Sequence, residues 1–126
     1  MGDACHPMLP YVAQGAAQAC EDAASLSTVL SLVEDKEEIP LALKAYERSQ
    51  KQRAETVQGT AGMTRKNLHL VDGPEQIERD RMFAAIEENG KNPDQWGDPE
   101  VQKFLWEWDA EEKATESWAT VSSVSQ

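Results

Sequence analysis

The sequence predicts a mainly α-helical fold of about four helices, and three observations carry that expectation. No run alternates apolar and polar residues as a half-buried strand would. Several stretches open on proline or an acid, and one closes on Asn-Gly, as helices do. One of them sets Val101, Phe104, Leu105 and Trp108 at i, i+3, i+4 and i+7. No longer period recurs that would indicate a repeat architecture.

The first helix is expected from Gln14 to Val33, a stretch of Ala, Leu, Ser, Val and Glu with no proline and no glycine after Gly15. Ala16, Ala17, Ala19, Cys20, Ala23 and Ala24 leave little bulk along it, so a backbone or a flat ligand can approach closely. Glu37-Glu38-Ile39-Pro40 reads as the entry to a second helix, with proline in the first turn and acids at the positive end of the dipole. That helix is expected to run to about Asn67; it is strongly polar, with Tyr46 and Val57 as its few apolar anchors and Gly59 and Gly62 weakening its end.

A third helix follows from Pro74 to Glu88, with Asp72 before it and Asn89-Gly90 as its stop. A fourth begins with Asp98 as cap and Pro99 at the first position, and its apolar stripe must be buried. The ending TVSSVSQ is small and polar and is expected to fray. The organisation expected is a loop plus two helices over 1–67, a helical region over 68–118 and a disordered tail over 119–126.

With 126 residues there is room for one modest domain or a part of one. Twelve Lys and Arg stand against 23 Asp and Glu, a formal charge of −11, which repels a phosphate backbone and argues against nucleic acid as a partner. The longest uncharged stretch, around Ala13 to Ala19, is far too short to span a bilayer, and the first residues lack the order of a signal peptide. A soluble, cytoplasmic protein with no membrane partner is expected. Cys5 and Cys20 are too few for a disulfide scaffold and nothing indicates an oxidising compartment, so no disulfide is expected.

Chemistry concentrates in GDACHPMLPYVAQGAAQACEDAASL, positions 2 to 26. Gly2 lets a bulky ligand approach the backbone, and Asp3 offers a carboxylate to sugar-like hydroxyls, although aspartate is also a common turn residue. Pro7 and Pro10 stiffen the loop. Gln14 and Gly15 then open a helix whose first N–H groups lack intrahelical partners and can meet a carbonyl oxygen or a delocalised negative charge. A polyol joined to an electron-accepting ring would satisfy both ends. The adjacent Cys5 and His6 are not expected to hold a metal, because neighbours rarely ligate one ion and no further cluster has zinc spacing. Trp106, Trp108 and Trp118 are assigned to packing, and the acids of DAEEKATE to a solvated helix face.

This stretch resembles the second FAD-binding motif of the class A flavoprotein monooxygenases, the salicylate-hydroxylase-like aromatic hydroxylases. Their pattern is Gly-Asp-Ala-x-His-Pro, a further proline, then Gln-Gly and a later Glu-Asp-Ala. IPLALKAYERSQKQRAETVQ is similar to the helix that follows in the family, and HLVDGPEQIERD and NPDQWGDPEVQKFLWEWDAEE to the C-terminal region of fungal members. Ala13 precedes Gln14 where many members have glycine.

The resemblance implies an FAD site of Gly2, Asp3, Pro7, Gln14, Gly15 and Ala16, in which Asp3 hydrogen-bonds the ribityl chain, Pro7 lies beside the flavin ring, and the amides around Gly15 and Ala16 face its N1 and C2 carbonyl region. A helix N-terminus there would stabilise negative charge on the ring. No catalytic side chain and no metal ligand is implied, and His6 is expected to matter much less than Asp3 for cofactor binding. The family's first strand, its Gly-x-Gly-x-x-Gly turn and its substrate-walling sheet have no counterpart in these residues. The resemblance therefore implies the C-terminal part of an α/β, Rossmann-like FAD-binding monooxygenase fold without its N-terminal dinucleotide-binding sheet. Such a part would serve hydroxylation of aromatic or related substrates with NAD(P)H and O2 and would be inactive alone; the apolar stripes, left uncovered without a parent sheet, predict either a partly helical, loosely packed monomer or a self-associating species. The alternative is a truncated, non-catalytic helical protein acting through protein contacts.

Overall fold

A computed structural model describes residues 1–86, 92–94 and 96–124. Five α-helices are present among them: α1 Gly15–Ser31, α2 Ile39–Leu68, α3 Pro74–Ala84, α4 Pro99–Trp106 and α5 Ala110–Val124. Short 3-10 turns at Gly2–Ala4, Pro10–Val12 and Lys36–Glu38 complete the described elements, and no strand occurs among the described residues.

The expectation of about four helices is corrected to five. The expected fourth helix divides: α4 ends at Trp106, Glu107 donates its N–H to the Lys103 carbonyl, and Asp109 opens α5 by accepting the Glu112 N–H at 2.9 Å. Trp108 therefore lies between two helices and not on the stripe of α4. The stretch expected to fray from Ala119 is helical through Val124, and Val121 packs on the core. The Asp98 cap is present as expected, its Oδ1 accepting from the amides of Glu100 and Val101 at 3.0 and 3.2 Å. α3 stops at Ala84, and its expected end at Glu88 with the Asn89-Gly90 stop lies outside the described residues.

Between α1 and α2 the chain reverses on a capping box. The Glu38 carboxylate accepts from the amides of Glu34 and Asp35 at 2.9 and 3.4 Å, while the Asp35 side chain caps in return. Pro40 then occupies the first turn of α2, where a missing N–H costs nothing. At 30 residues α2 is the longest of the described helices, about 45 Å at the helical rise.

α1, α2 and α5 pack against one another. One core cluster joins Val29 of α1, Ala42 and Ala45 of α2 and Ala114 of α5, flanked by Leu26, Tyr46, Trp118 and Val121. A second joins Val12, Val57, Ala61 and Leu105, with Met8 and Val101 against it. The buried positions of α2 combine alanines and Val57 with the polar Ser49, Gln50, Arg53 and Thr64, and the small side chain of Ala61 beside Val57 leaves room for Leu105. Of the stripe, Leu105 is 4 % exposed and Phe104 37 %.

Candidate functional site

The loop from Gly2 to Ala13 lies over α1 and α2 and is held by bonds to both helices. Gly2 adopts φ +61, a left-handed conformation natural to glycine, and its carbonyl accepts from the amides of Cys5 and His6 at 2.9 and 3.1 Å. Gln58 of α2 donates to the Pro7 carbonyl at 3.0 Å. Tyr11 Oη lies 2.8 Å from His69 Nε2 at the end of α2. Ala13 closes the loop at φ 48, ψ 31, in the left-handed region that favours glycine. α1 starts two residues later.

Of the expected site residues, Asp3, Pro7 and Ala16 are exposed, Gly2 and Gly15 are half-buried, and Gln14 is buried. A Cβ built on Gly15 would meet nothing within 4 Å. The amides of Gly15, Ala16 and Ala17 precede the first intrahelical bond, which Gln18 makes to Gln14 at 2.8 Å. Gln14 flanks the helix without a side-chain cap. An open helix N-terminus and an exposed carboxylate on one loop form a set of donors and acceptors of the kind a flavin with its polyol chain requires: N–H donors for ring carbonyls, a carboxylate acceptor for hydroxyls. The described residues fit the group in that respect.

Two functional candidates were missed by the sequence reading: His6 as a structural anchor, and Asp22. Asp22 lies on the buried stripe of α1 formed by Gln18, Asp22, Ser25 and Val29. Its Oδ2 accepts the Gly2 amide at 2.7 Å and faces His6 Nε2 at 2.6 Å. Asp22 is 1 % exposed and His6 5 %. The spacing of 18, 22, 25 and 29 on one helical face was the available signal; the polar residue types on it disguised a buried face as a wet one.

The adjacent Glu21 turns to α2 instead, pairing with the buried Arg53. The Glu-Asp pair thus ties α1 to two different elements. Cys5 is exposed, with its thiol 3.3 Å from the Gly2 carbonyl, and Cys20 is a second free thiol. Ligand atoms of Cys5, His6 and Asp22 lie within 4.8 Å of one another, closer than sequence adjacency suggested, and the direct contact between His6 and Asp22 accounts for two of the three. Tyr46 on α2 faces the same carboxylate: burial, and then hydrogen bonding to Asp22, push its phenol above its ordinary value.

Comparison with known proteins bears directly on this loop. Residues 1–61 match the model of the FAD binding domain. The chain is 46 % identical over 110 residues to the FAD-dependent monooxygenase atnJ of Arthrinium sp, covering 87 % of this chain and 25 % of the relative. It is 44 % identical over 110 residues to the FAD-dependent monooxygenase ntnJ of Nectria sp, covering 87 % and 26 %. With the 3-amino-4-hydroxybenzoate 2-monooxygenase PtmB3 of Streptomyces platensis it shares 42 % identity over 86 residues, covering 68 % and 21 %. A loop that ends at an open helix start, matched to an FAD-binding domain, defines a flavoprotein segment. The chain belongs to the FAD-dependent monooxygenase family, whose cofactor is FAD, and it spans about a quarter of the length of the curated relatives it matches. No helix among the described residues is long and apolar enough to cross a membrane.

Proposed function

We propose that this chain supplies the flavin-facing C-terminal portion of an FAD-dependent monooxygenase, and that the assembled enzyme hydroxylates an aromatic or related substrate with NAD(P)H and O2. The observation that carries the reading is the pairing of an exposed Asp3 with the uncovered start of α1 at Gly15 and Ala16 on one anchored loop. Asp3 would accept from ribityl hydroxyls. The α1 amides would face the ring's carbonyl side, with Pro7 beside it and Gly2 and Gln14 shaping the two ends of the loop. FAD supplies the redox chemistry when bound; these residues bind it, orient it and favour negative charge on one side of it. An aromatic substrate is favoured by the Streptomyces relative, a 3-amino-4-hydroxybenzoate 2-monooxygenase.

The test is made in a full-length monooxygenase carrying this segment. Asp3→Ala is expected to weaken FAD binding by about 1.5 to 3 kcal/mol, the range for a hydrogen bond to a charged group. Unchanged flavin content in that variant would remove Asp3 from the site. The 126-residue chain alone is expected not to retain FAD through desalting, since one carboxylate and one helix end cannot replace a whole cofactor cleft. A sample that stays yellow with one flavin per chain would overturn that expectation.

One observation favours the second reading, a helical protein without catalysis of its own: α5 closes on α1 and α2 and buries Ala114 completely. A sharp cooperative melt of the dilute monomer would support it. Self-association through exposed Trp106, Met63 and Val71 belongs to either reading and is read from the sedimentation behaviour of the chain.

A further inference from the structure

We infer that Asp22 is the positioning residue for the Gly2-Asp3 turn, holding the Gly2 amide on the carboxylate oxygen that also faces His6, and so setting where Asp3 presents its own carboxylate. The inference rests on the reading of Asp3 as a cofactor contact and adds to it the groups that place Asp3.

The turn is fixed from both sides of Gly2. Its N–H donates to Asp22 Oδ2 at 2.7 Å, across 20 residues of chain. Its carbonyl accepts from Cys5 and His6, closing the 3-10 turn Gly2–Ala4. With the peptide on each side held, the direction in which Asp3 leaves the turn follows from α1. Asp3 itself contributes nothing to this hold: it is exposed, and among the described residues its carboxylate has no hydrogen bond. The residue that points outward and the residue that aims it are therefore different aspartates.

His6 completes the device. A buried carboxylate needs donors to remain favourable in the interior, and bonds to an ionised acceptor are the strong ones. Asp22 Oδ2 has two potential donors, the Gly2 amide and His6 Nε2 at 2.6 Å. An Nε2–H on His6 makes the second bond, and His6 is tied to the turn by its own amide as well. Removing His6 leaves Asp22 buried with one donor fewer, which loosens the same turn. His6 thus has a larger role in cofactor binding than its sequence position suggests, and the role passes through Asp22.

In a full-length FAD-dependent monooxygenase carrying this segment, Asp22→Asn is expected to weaken FAD binding roughly tenfold, the low end for a bond to a charged group. His6→Ala should behave alike, and His6→Gln, which keeps an N–H donor, should restore most of the loss. If Asp22 acts through Asp3, Asp3→Ala combined with Asp22→Asn binds FAD no more weakly than Asp3→Ala alone. Losses that multiply, or an Asp22→Asn variant that binds FAD normally while Asp3→Ala does not, would overturn the inference. Should Asp3→Ala leave FAD binding intact, the cofactor reading fails and the positioning claim is decided on the 126-residue chain by nuclear magnetic resonance. There Asp22→Asn and His6→Ala must shift the Gly2 and Asp3 amide signals and speed their exchange while signals of α5 stay in place. Unmoved Gly2 and Asp3 signals would overturn it.

Discussion

The Arg53 guanidinium lies along the Glu21 carboxylate, Nε to Oε2 at 2.5 Å and Nη2 to Oε1 at 2.7 Å, a two-point contact between α2 and α1. The same cation donates to the carbonyls of Phe104 and Leu105 at 2.9 and 3.1 Å, satisfying acceptors that the last turn of α4 leaves open. The Phe104 and Trp108 rings lie 5.0 and 4.7 Å from its central carbon. One buried side chain of α2 thus joins α1 to the end of α4.

Removing it should be costly. Arg53→Ala strands a carboxylate and two carbonyls, and loss of one partner of a buried pair costs about 3 to 5 kcal/mol. Arg53→Lys should recover little of this, because an ammonium cannot make the two-point contact and reach both carbonyls. Glu21→Gln should cost less than Arg53→Ala, since Glu21 is partly open to solvent and its loss removes a single group. Denaturant melts of the three variants decide it; a near-normal Arg53→Lys would show that charge alone suffices.

Ala13 is the one non-glycine residue with positive φ among the described residues. An L side chain in that region costs about 1 to 2 kcal/mol, against about 0.4 to 1 for the extra freedom glycine has when unfolded. Ala13→Gly should therefore raise stability by about 0.5 to 1 kcal/mol. Gly2→Ala, at φ +61, should move it the other way. A thermal melt in which Ala13→Gly loses stability would mean that the loop does not hold this turn.

Leu105 and Trp106 are neighbours with opposite environments, 4 % and 62 % exposed. Leu105→Ala opens a cavity beside Val57 and Ala61 and should cost about 2 to 5 kcal/mol. Trp106→Ala should cost well under half as much and should reduce any self-association, because it removes exposed apolar surface. Equal losses of stability would place α4 in a different rotation about its axis.

Tyr46 supplies a pH signature. Its folded phenol ionises above the ordinary value of 10.0, so the neutral form is favoured in the folded state. The stability this contributes is fully present below the unfolded phenol value and is lost as pH rises from there through the folded value. With Tyr11 replaced by Phe, phenolate absorbance should report Tyr46 alone as a late step above the ordinary value. Asp22→Asn should bring the late step down only part of the way, since burial is the larger cause. A Tyr46 step at the ordinary value in the native fold would contradict this placement.

The helices were legible because their boundaries are local chemistry. Pro40 and Pro99 in first turns and the Asp98 cap read the same way in sequence and in structure. The ordered Gly-Asp, His-Pro and Gln-Gly residues likewise sufficed to identify an FAD-binding segment. The division of the expected fourth helix was harder to read: Trp108 continues the apolar spacing, while the break comes from the Asp109 cap and from α4 ending where Arg53 takes up its carbonyls.

By itself, then, the sequence determined the helical class and the family, both of which depend on neighbours a few positions apart. Only the tertiary structure decided which polar residues are buried and whom they meet. Asp22 reaches Gly2 and His6 across 20 and 16 positions, and Arg53 reaches Glu21 across 32. A charged residue in a helix is ordinarily read as solvated, because burying a charge without partners is prohibitive. Whether partners exist depends on how α1 meets α2 and the N-terminal loop, and that geometry comes from packing small alanines and Val57 against their neighbours, which no local spacing encodes.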